Sequence, residues 1–312
     1  MDINRYSPSY ILNKNDLLGL TDYSTEEIFE LLYATKTMKR KFEAHEETTI
    51  LHNTTVALLF ADTSLRTRSA IEIGVHQLGG NCVNLPYSSK DMHAGENIKD
   101  IVNVISRYGV GALVTRGINK KLLTGFAATS SMPIINSHND DCVPLQAICD
   151  LFSIWEKKGE LAGVKVAVVG KATSLTSSFV IGAVKCGMDV SVACPSGFGL
   201  KRENVEAAEQ MGKIYFTDNP VEAVRDADFV YTNAYRYHTE VPEDEREALA
   251  PYRVDAGLMS YAKHNAYFMH PLPAMRGVEV TAEVIDGKHS MVYDQGENRL
   301  HAIKAIFTLL AK

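Results

Sequence analysis

"KVAVVGKATSLTSSFVIGAVKCGMDVSVACPSGF", Lys165 to Phe198, decides the fold. A short β-branched run comes first, then a Gly-Lys loop, an apolar helical stretch and a second β-branched run. The order strand, loop, helix, strand implies two neighbouring parallel strands, because parallel strands need a crossover connection. "ADFVYTNAY" (Ala227–Tyr235) and "AYFMHPLP" (Ala266–Pro273) add two more strands to this layer. Upstream the same alternation repeats. "TTVALLFAD" (Thr54–Asp62) reads as a buried strand, and "RSAIEIGVHQLGG" (Arg68–Gly80) as a helix stopped by its glycines. "DIVNVISRYG" is a helix, "VGALVTRG" a strand ending at Arg116, and "MPIINS" a further strand. The expectation is an α/β protein with two parallel-sheet layers.

The flanks are helical. "STEEIFELLYATKTMKRKF" (Ser24–Phe42) spaces its apolar residues as a helix does, and Ser24 with Glu27 forms a capping box. "LQAICDLFSIWEKKG" links the halves, and "ENRLHAIKAIFTLLAK" is an amphipathic C-terminal helix. A chain of 312 residues suits two domains. The expected division is residues 1–140 plus the C-terminal helix 295–312 for one domain, and 141–294 for the other. No repeat or low-complexity tract interrupts them.

Composition narrows the function. Formal net charge is −6, so no basic excess tracks a nucleic-acid backbone. The five cysteines, Cys82, Cys142, Cys149, Cys186 and Cys194, include no C-x-x-C pair and suit free thiols in a reducing compartment. No stretch reaches membrane-spanning length, and the opening residues are not expected to act as a secretory leader. A cytoplasmic protein without membrane contact, metal or organic cofactor is expected.

"TSLRTR", Thr63 to Arg68, falls between a strand and a helix. A helix N-terminus exposes unpaired N–H groups and a partial positive charge. Ser64 and Thr67 add hydroxyls, and Arg66 adds a planar fork suited to phosphate oxygens. A capped surface helix with solvated arginines is the plainer alternative for this stretch. Arg116, the Asn233 region and His270 also fall just past strand ends, where ligands of open parallel sheets bind.

Taken together these motifs resemble the aspartate/ornithine transcarbamylase family, nearest its ornithine and putrescine branches. The anchors are "SLRTR", "TRG" (Thr115–Gly117), "VPLQ" (Val143–Gln146), "HPLP" (His270–Pro273) and "DQGENRLHAIKA" (Asp294–Ala305). The resemblance implies a carbamoyl-phosphate-binding domain, a Rossmann-like amine-binding domain and a C-terminal helix returning to the first. It implies a homotrimer that moves a carbamoyl group from carbamoyl phosphate to a small amine. Carried over by position, Arg66, Arg116 and Gln146 are catalytic. Ser64, Leu65, Arg66, Thr67, Arg116, Gln146, Leu272 and Arg299 would surround the phosphate and carbamoyl group. Lys90, Asp91 and His93 match a loop lent to the neighbouring subunit. Lys171, Ser174, Asn233, Arg236 and Pro271 would hold the second substrate.

Two positions depart from the family pattern. Leu65 stands for its threonine and Val143 for its histidine, both donors to the carbonyl oxygen. Losing one such donor costs roughly a hundred- to a thousandfold in rate. On the amine side, Asn233 stands for the family's aspartate and Lys171 for another acidic position. The acceptor expected is therefore not ornithine itself but an acidic or acylated relative. A different phosphorylated or acyl donor, and a non-catalytic regulatory paralogue, remain alternatives.

Overall fold

The structure, a computed structural model, describes residues 1–86, 97–235 and 242–311. The expected ligands Lys90, Asp91, His93 and Arg236 lie outside the described residues.

The elements alternate as follows: α1 (Thr25–Glu43), β1 (Thr55–Phe60), α2 (Leu65–Gln77), β2 (Asn81–Pro86), α3 (Ile98–Ser106), β3 (Val110–Arg116), α4 (Lys120–Thr129), β4 (Ile134–His138) and α5 (Pro144–Lys158). Then come β5 (Lys165–Val169), α6 (Ser174–Lys185), β6 (Asp189–Ala193), α7 (Arg202–Glu209), β7 (Ile214–Thr217), α8 (Pro220–Val224), β8 (Phe229–Tyr231), α9 (Glu243–Leu249), α10 (Ala256–Met259), β9 (Tyr267–Met269), α11 (Ala282–Ile285) and α12 (Val292–Leu310). No helix among the described residues is long and apolar enough to cross a membrane.

The chain forms two compact units. One holds Tyr6–Phe152 with Asn298–Lys312, the other Ser153–Glu297 with Met1–Arg5. The division falls inside α5, between Phe152 and Ser153, rather than at the expected residues 140 and 141. A helix made of one unbroken apolar pattern carries no sequence mark where its neighbours change. The C-terminal helix divides likewise, and its part from Asn298 onward belongs with the N-terminal unit.

The N-terminal unit has a four-stranded parallel sheet in the order β2-β1-β3-β4. Its central strands β1 and β3 are buried on both faces, so they read as continuous apolar runs. Ala57, Leu59, Leu113 and Ile134 meet Val102 of α3 and Leu123 and Phe126 of α4 in one cluster. Complete burial of a side chain such as Phe126 contributes about 1.5–3 kcal/mol. Within this unit α12 packs on α2, where a Cβ on Gly74 would stand 3.4 Å from both Leu300 and Ile303. Lys304 Nζ also donates to Gln77 Oε1 at 3.1 Å. At the start of the unit, Ser24 and Glu27 close the expected capping box of α1.

The C-terminal unit has a five-stranded parallel sheet, β7-β6-β5-β8-β9. Its core joins Ala167, Val169, Val230 and Phe268 of the strands to Ala223 and Val224 of α8. In each sheet the chain starts in the middle and reverses direction, between β1 and β3 in one and between β5 and β8 in the other. Those reversals open crevices at the carboxyl ends of the strands.

Candidate active site

The reversal between β1 and β3 carries the first cluster. α2 begins at Leu65, with Ser64 as its N-cap in extended conformation. The Ser64 hydroxyl makes no capping bond, and no acidic residue stands in the first turn. The contrast with α1 is physical. There Ser24 accepts from the Glu27 N–H, and Glu26 and Glu27 answer the helix dipole. At α2 the dipole meets no carboxylate of its own turn, so this end suits an anion. Arg66 is exposed beside it and Thr67 is buried. Arg68 is turned away from this role, with its guanidinium carbon 5.3 Å from the Phe60 ring centre. Leu65, at the tip, is 82% exposed and offers no polar atom.

Arg116 closes β3 next to this cradle. Its Nε donates to Asp62 Oδ1 at 2.6 Å, and the Ala61 N–H donates to the Arg116 carbonyl at 2.8 Å. Gly117 then turns the chain at φ +72°, and a Cβ there would stand 3.1 Å from that of Ala61. Only glycine takes that conformation at so close an approach without strain. The register between β3 and β4 shifts here: Thr115 faces Asn136, but Arg116 faces His138.

Two further expected residues lie together in the same unit. Arg299 donates to the side-chain oxygen of Gln146, and the Gln146 nitrogen donates to Asp150 Oδ1 at 2.6 Å. All three are buried. Val143, just before α5, is 5% exposed and apolar.

The remaining expected residues belong to the C-terminal unit, at the β5–β8 reversal and the loop after β9. Asn233 is 2% exposed, and its amide donates to Thr173 Oγ1 at 2.7 Å. Ser174 opens α6 directly after Thr173. Lys171, expected to hold an acidic ligand, instead pairs with Glu245 at 2.8 Å and lies 5.4 Å from the Phe198 ring centre. A carboxylate 74 residues away thus balances its charge. Pro271 and Leu272 follow His270, whose Nδ1 accepts from the Leu272 N–H at 2.9 Å. That bond leaves the His270 proton on Nε2, 3.3 Å from the fully buried Glu279. Leu272 is held at φ +55°.

Sequence reasoning passed over Tyr235. Its ring lies on Gly170, where a Cβ would meet Tyr235 Cε1 at 2.6 Å and the backbone has φ +104°. The phenol oxygen is enclosed with no hydrogen-bond partner among the described residues. Burial first, then the Glu279 charge, pushes its pKa upward. The signal lay in Gly170-Lys171 facing Asn233-Ala234-Tyr235 across the two strand ends.

Comparison with known proteins shows the family. The aspartate/ornithine carbamoyltransferase carbamoyl-P binding domain matches residues 15–156. The Asp/Orn binding domain of the same family matches residues 162–310. An ornithine carbamoyltransferase of Pyrococcus abyssi is 39% identical over 306 residues, covering 96% of each chain. That of Bacillus subtilis is 41% identical over 298 residues, covering 93% of this chain and 92% of its own. The solved ornithine carbamoyltransferase of Pyrococcus furiosus superimposes with a TM-score of 0.91 at 38% identity, over 95% of this chain and 97% of its own. The chain belongs to the aspartate/ornithine carbamoyltransferase family, and it is a transferase of that family.

Proposed function

We propose that this carbamoyltransferase takes carbamoyl phosphate as donor and an amine other than free ornithine as acceptor. The donor half is carried by one observation: a helix N-terminus with no side-chain cap and no acid in its first turn, flanked by Arg66 and by Arg116. The phosphate sits on the α2 N–H groups, with Ser64, Arg66 and Thr67 around it. Arg116 spans the phosphate and the carbonyl oxygen. Gln146, oriented by Arg299 and Asp150, takes the carbamoyl NH2. The neutral amine attacks the carbonyl carbon, and a C–N bond forms. The C–O bond to phosphorus breaks with its electron pair leaving on phosphate, and the amine gives up a proton. Positioning and charge neutralisation carry most of the rate. Lys90, Asp91 and His93 remain candidates for completing the site from a neighbouring subunit of a trimer.

The acceptor half rests on Asn233. A buried amide that already donates to Thr173 offers an acceptor no negative charge. An α-ammonium prefers a carboxylate at such a place, whereas an acylated nitrogen does not need one. The Lys171–Glu245 pair removes the argument for an acidic acceptor, so an Nα-acylated amino acid is favoured.

The test is an assay with labelled carbamoyl phosphate against ornithine, putrescine and their Nα-acylated or otherwise capped relatives. Carbamoylation of the acylated amines in preference to ornithine is expected. Preferential turnover of ornithine would overturn the acceptor reading and leave the donor reading standing.

A second reading is favoured by Leu65. Its exposed apolar side chain at the cradle tip suits a donor whose acyl group is larger than carbamoyl. Thermal stabilisation by another acyl phosphate, with none by carbamoyl phosphate, would select it.

A further inference from the structure

We infer that His138 is a catalytic residue of the donor site, its imidazole N–H bonding the acyl oxygen that Leu65 and Val143 leave without a donor. This deepens the carbamoyl-phosphate reading and rests on it.

Three observations place the ring. The first is the register shift, which makes His138 the partner of Arg116. Had β4 continued in step from the Thr115–Asn136 pair, Ser137 would face Arg116. The extra residue is accommodated by Ser137, whose hydroxyl donates to the Thr115 carbonyl at 2.8 Å. Partner residues on parallel strands project to the same face, so the imidazole and the guanidinium leave the sheet side by side. Register irregularities of this kind re-aim side chains next to active sites.

The second observation is the ring's own bonding. His138 Nδ1 is enclosed and has no hydrogen-bond partner among the described residues. Enclosing a polar atom without a partner is costly, and such atoms in folded proteins call for a reason. A histidine that serves the scaffold bonds through its ring, as His270 does by accepting the Leu272 N–H. His138 does nothing of the kind; only its backbone carbonyl is engaged, by the Gly117 N–H at 2.8 Å. The ring's remaining nitrogen is left for a ligand.

The third is charge. Burial first, and then the Arg116 charge, lower the His138 pKa, against smaller opposing effects of Asp62 and Asp140. The ring is thereby kept neutral, with one N–H to donate and no second cation competing with Arg116 for the phosphate. The two positions that the family resemblance marks as carbonyl donors hold an exposed leucine and a buried valine. His138 supplies a donor at the same carboxyl edge of the sheet.

The experiment is calorimetric titration of wild type, His138→Ala and His138→Gln with carbamoyl phosphate and, separately, with inorganic phosphate. Turnover is then measured on an accepted amine. His138→Ala is expected to weaken carbamoyl phosphate about tenfold, leave inorganic phosphate within about twofold, and lower kcat about a hundredfold. His138→Gln, which keeps an N–H, is expected to regain part of both losses. His138→Leu, which fills the ring's space without a donor, carries the alanine expectation if the alanine variant does not fold. Equal weakening of both ligands, or none, overturns the assignment. A wild type that prefers carbamoyl phosphate, with the preference surviving His138→Ala and His138→Leu, overturns this inference alone. A wild type with no such preference overturns the donor reading and this inference together.

Discussion

The Arg299 guanidinium donates to the side-chain oxygen of Gln146, 153 residues away in sequence. Because Asp150 accepts from the Gln146 nitrogen, the amide has one orientation only, with its oxygen toward the arginine. Two helices distant in sequence, α5 and α12, thus fix one group of the proposed donor site. Gln146→Glu removes the N–H that Asp150 accepts and brings a second carboxylate against it. Unfolding free energy is expected to fall by about 2 kcal/mol, and kcat/KM for the donor by about a hundredfold. Denaturant unfolding and initial rates check both. An unchanged kcat/KM would remove Gln146 from the donor site.

The Ser64 hydroxyl caps nothing, so helix stability and anion binding can be set against each other at one residue. Ser64→Asp places a carboxylate at the positive end of α2. It is expected to raise stability by about 0.5 kcal/mol while weakening phosphate at least about tenfold through like charge. Arg66→Ala is expected to weaken phosphate about tenfold to a hundredfold with little change in stability. Thermal melts and phosphate titration separate the two variants. A Ser64→Asp protein that binds phosphate as wild type does would place the anion elsewhere.

Much of this was legible in the chain. The strands β1, β3, β5 and β8 are buried on both faces and announce themselves as apolar runs. Two of the edge strands, β2 and β7, do not. β2 reads "NCVNLP" and leaves most of its residues exposed or half-buried, and β7 exposes Tyr215 and Phe216. Neither has a period or an apolar run to read. At the candidate site, Ser64, Arg66 and Arg116 were singled out by a strand-to-helix junction and a strand end, and Gln146 by the family resemblance alone. The Lys171–Glu245 pair was not, since no local pattern ties residues so far apart. Nor was the pairing of His138 with Arg116, because a single register shift decides which strand-end residue faces the arginine.

Asp228 gives the stability of the C-terminal unit a predictable pH dependence. Its 4% exposed carboxylate accepts from Lys158 at 2.5 Å and Lys263 at 2.9 Å, and from the Lys165 N–H at 3.1 Å. Burial raises its pKa, but these bonds outweigh burial and hold it below the ordinary value. A carboxyl that binds its proton more weakly when folded stabilises the fold above its unfolded pKa of about 3.9. That stability is lost as pH falls through the lower folded value. Asp228→Asn is expected to cost about 3 kcal/mol at neutral pH and to flatten the acid limb below about pH 4. Urea midpoints measured across pH 3–7 test this, and parallel acid limbs in both proteins would refute it.

Tyr235 and Gly170 separate packing from chemistry on the acceptor side. Gly170→Ala sets a Cβ 2.6 Å from the Tyr235 ring in a left-handed backbone and is expected to cost about 2 kcal/mol. Its acceptor KM should rise while phosphate binding by the other unit is unchanged. Tyr235→Phe removes an enclosed hydroxyl that has no partner among the described residues. Deleting an unsatisfied buried group is neutral or stabilising, by up to about 1 kcal/mol. If the hydroxyl serves the acceptor, the same variant gains stability yet loses about tenfold in kcat/KM for the amine. A variant that gains stability with full activity would make the phenol a wall of the crevice and no more, leaving Asn233 to read the acceptor.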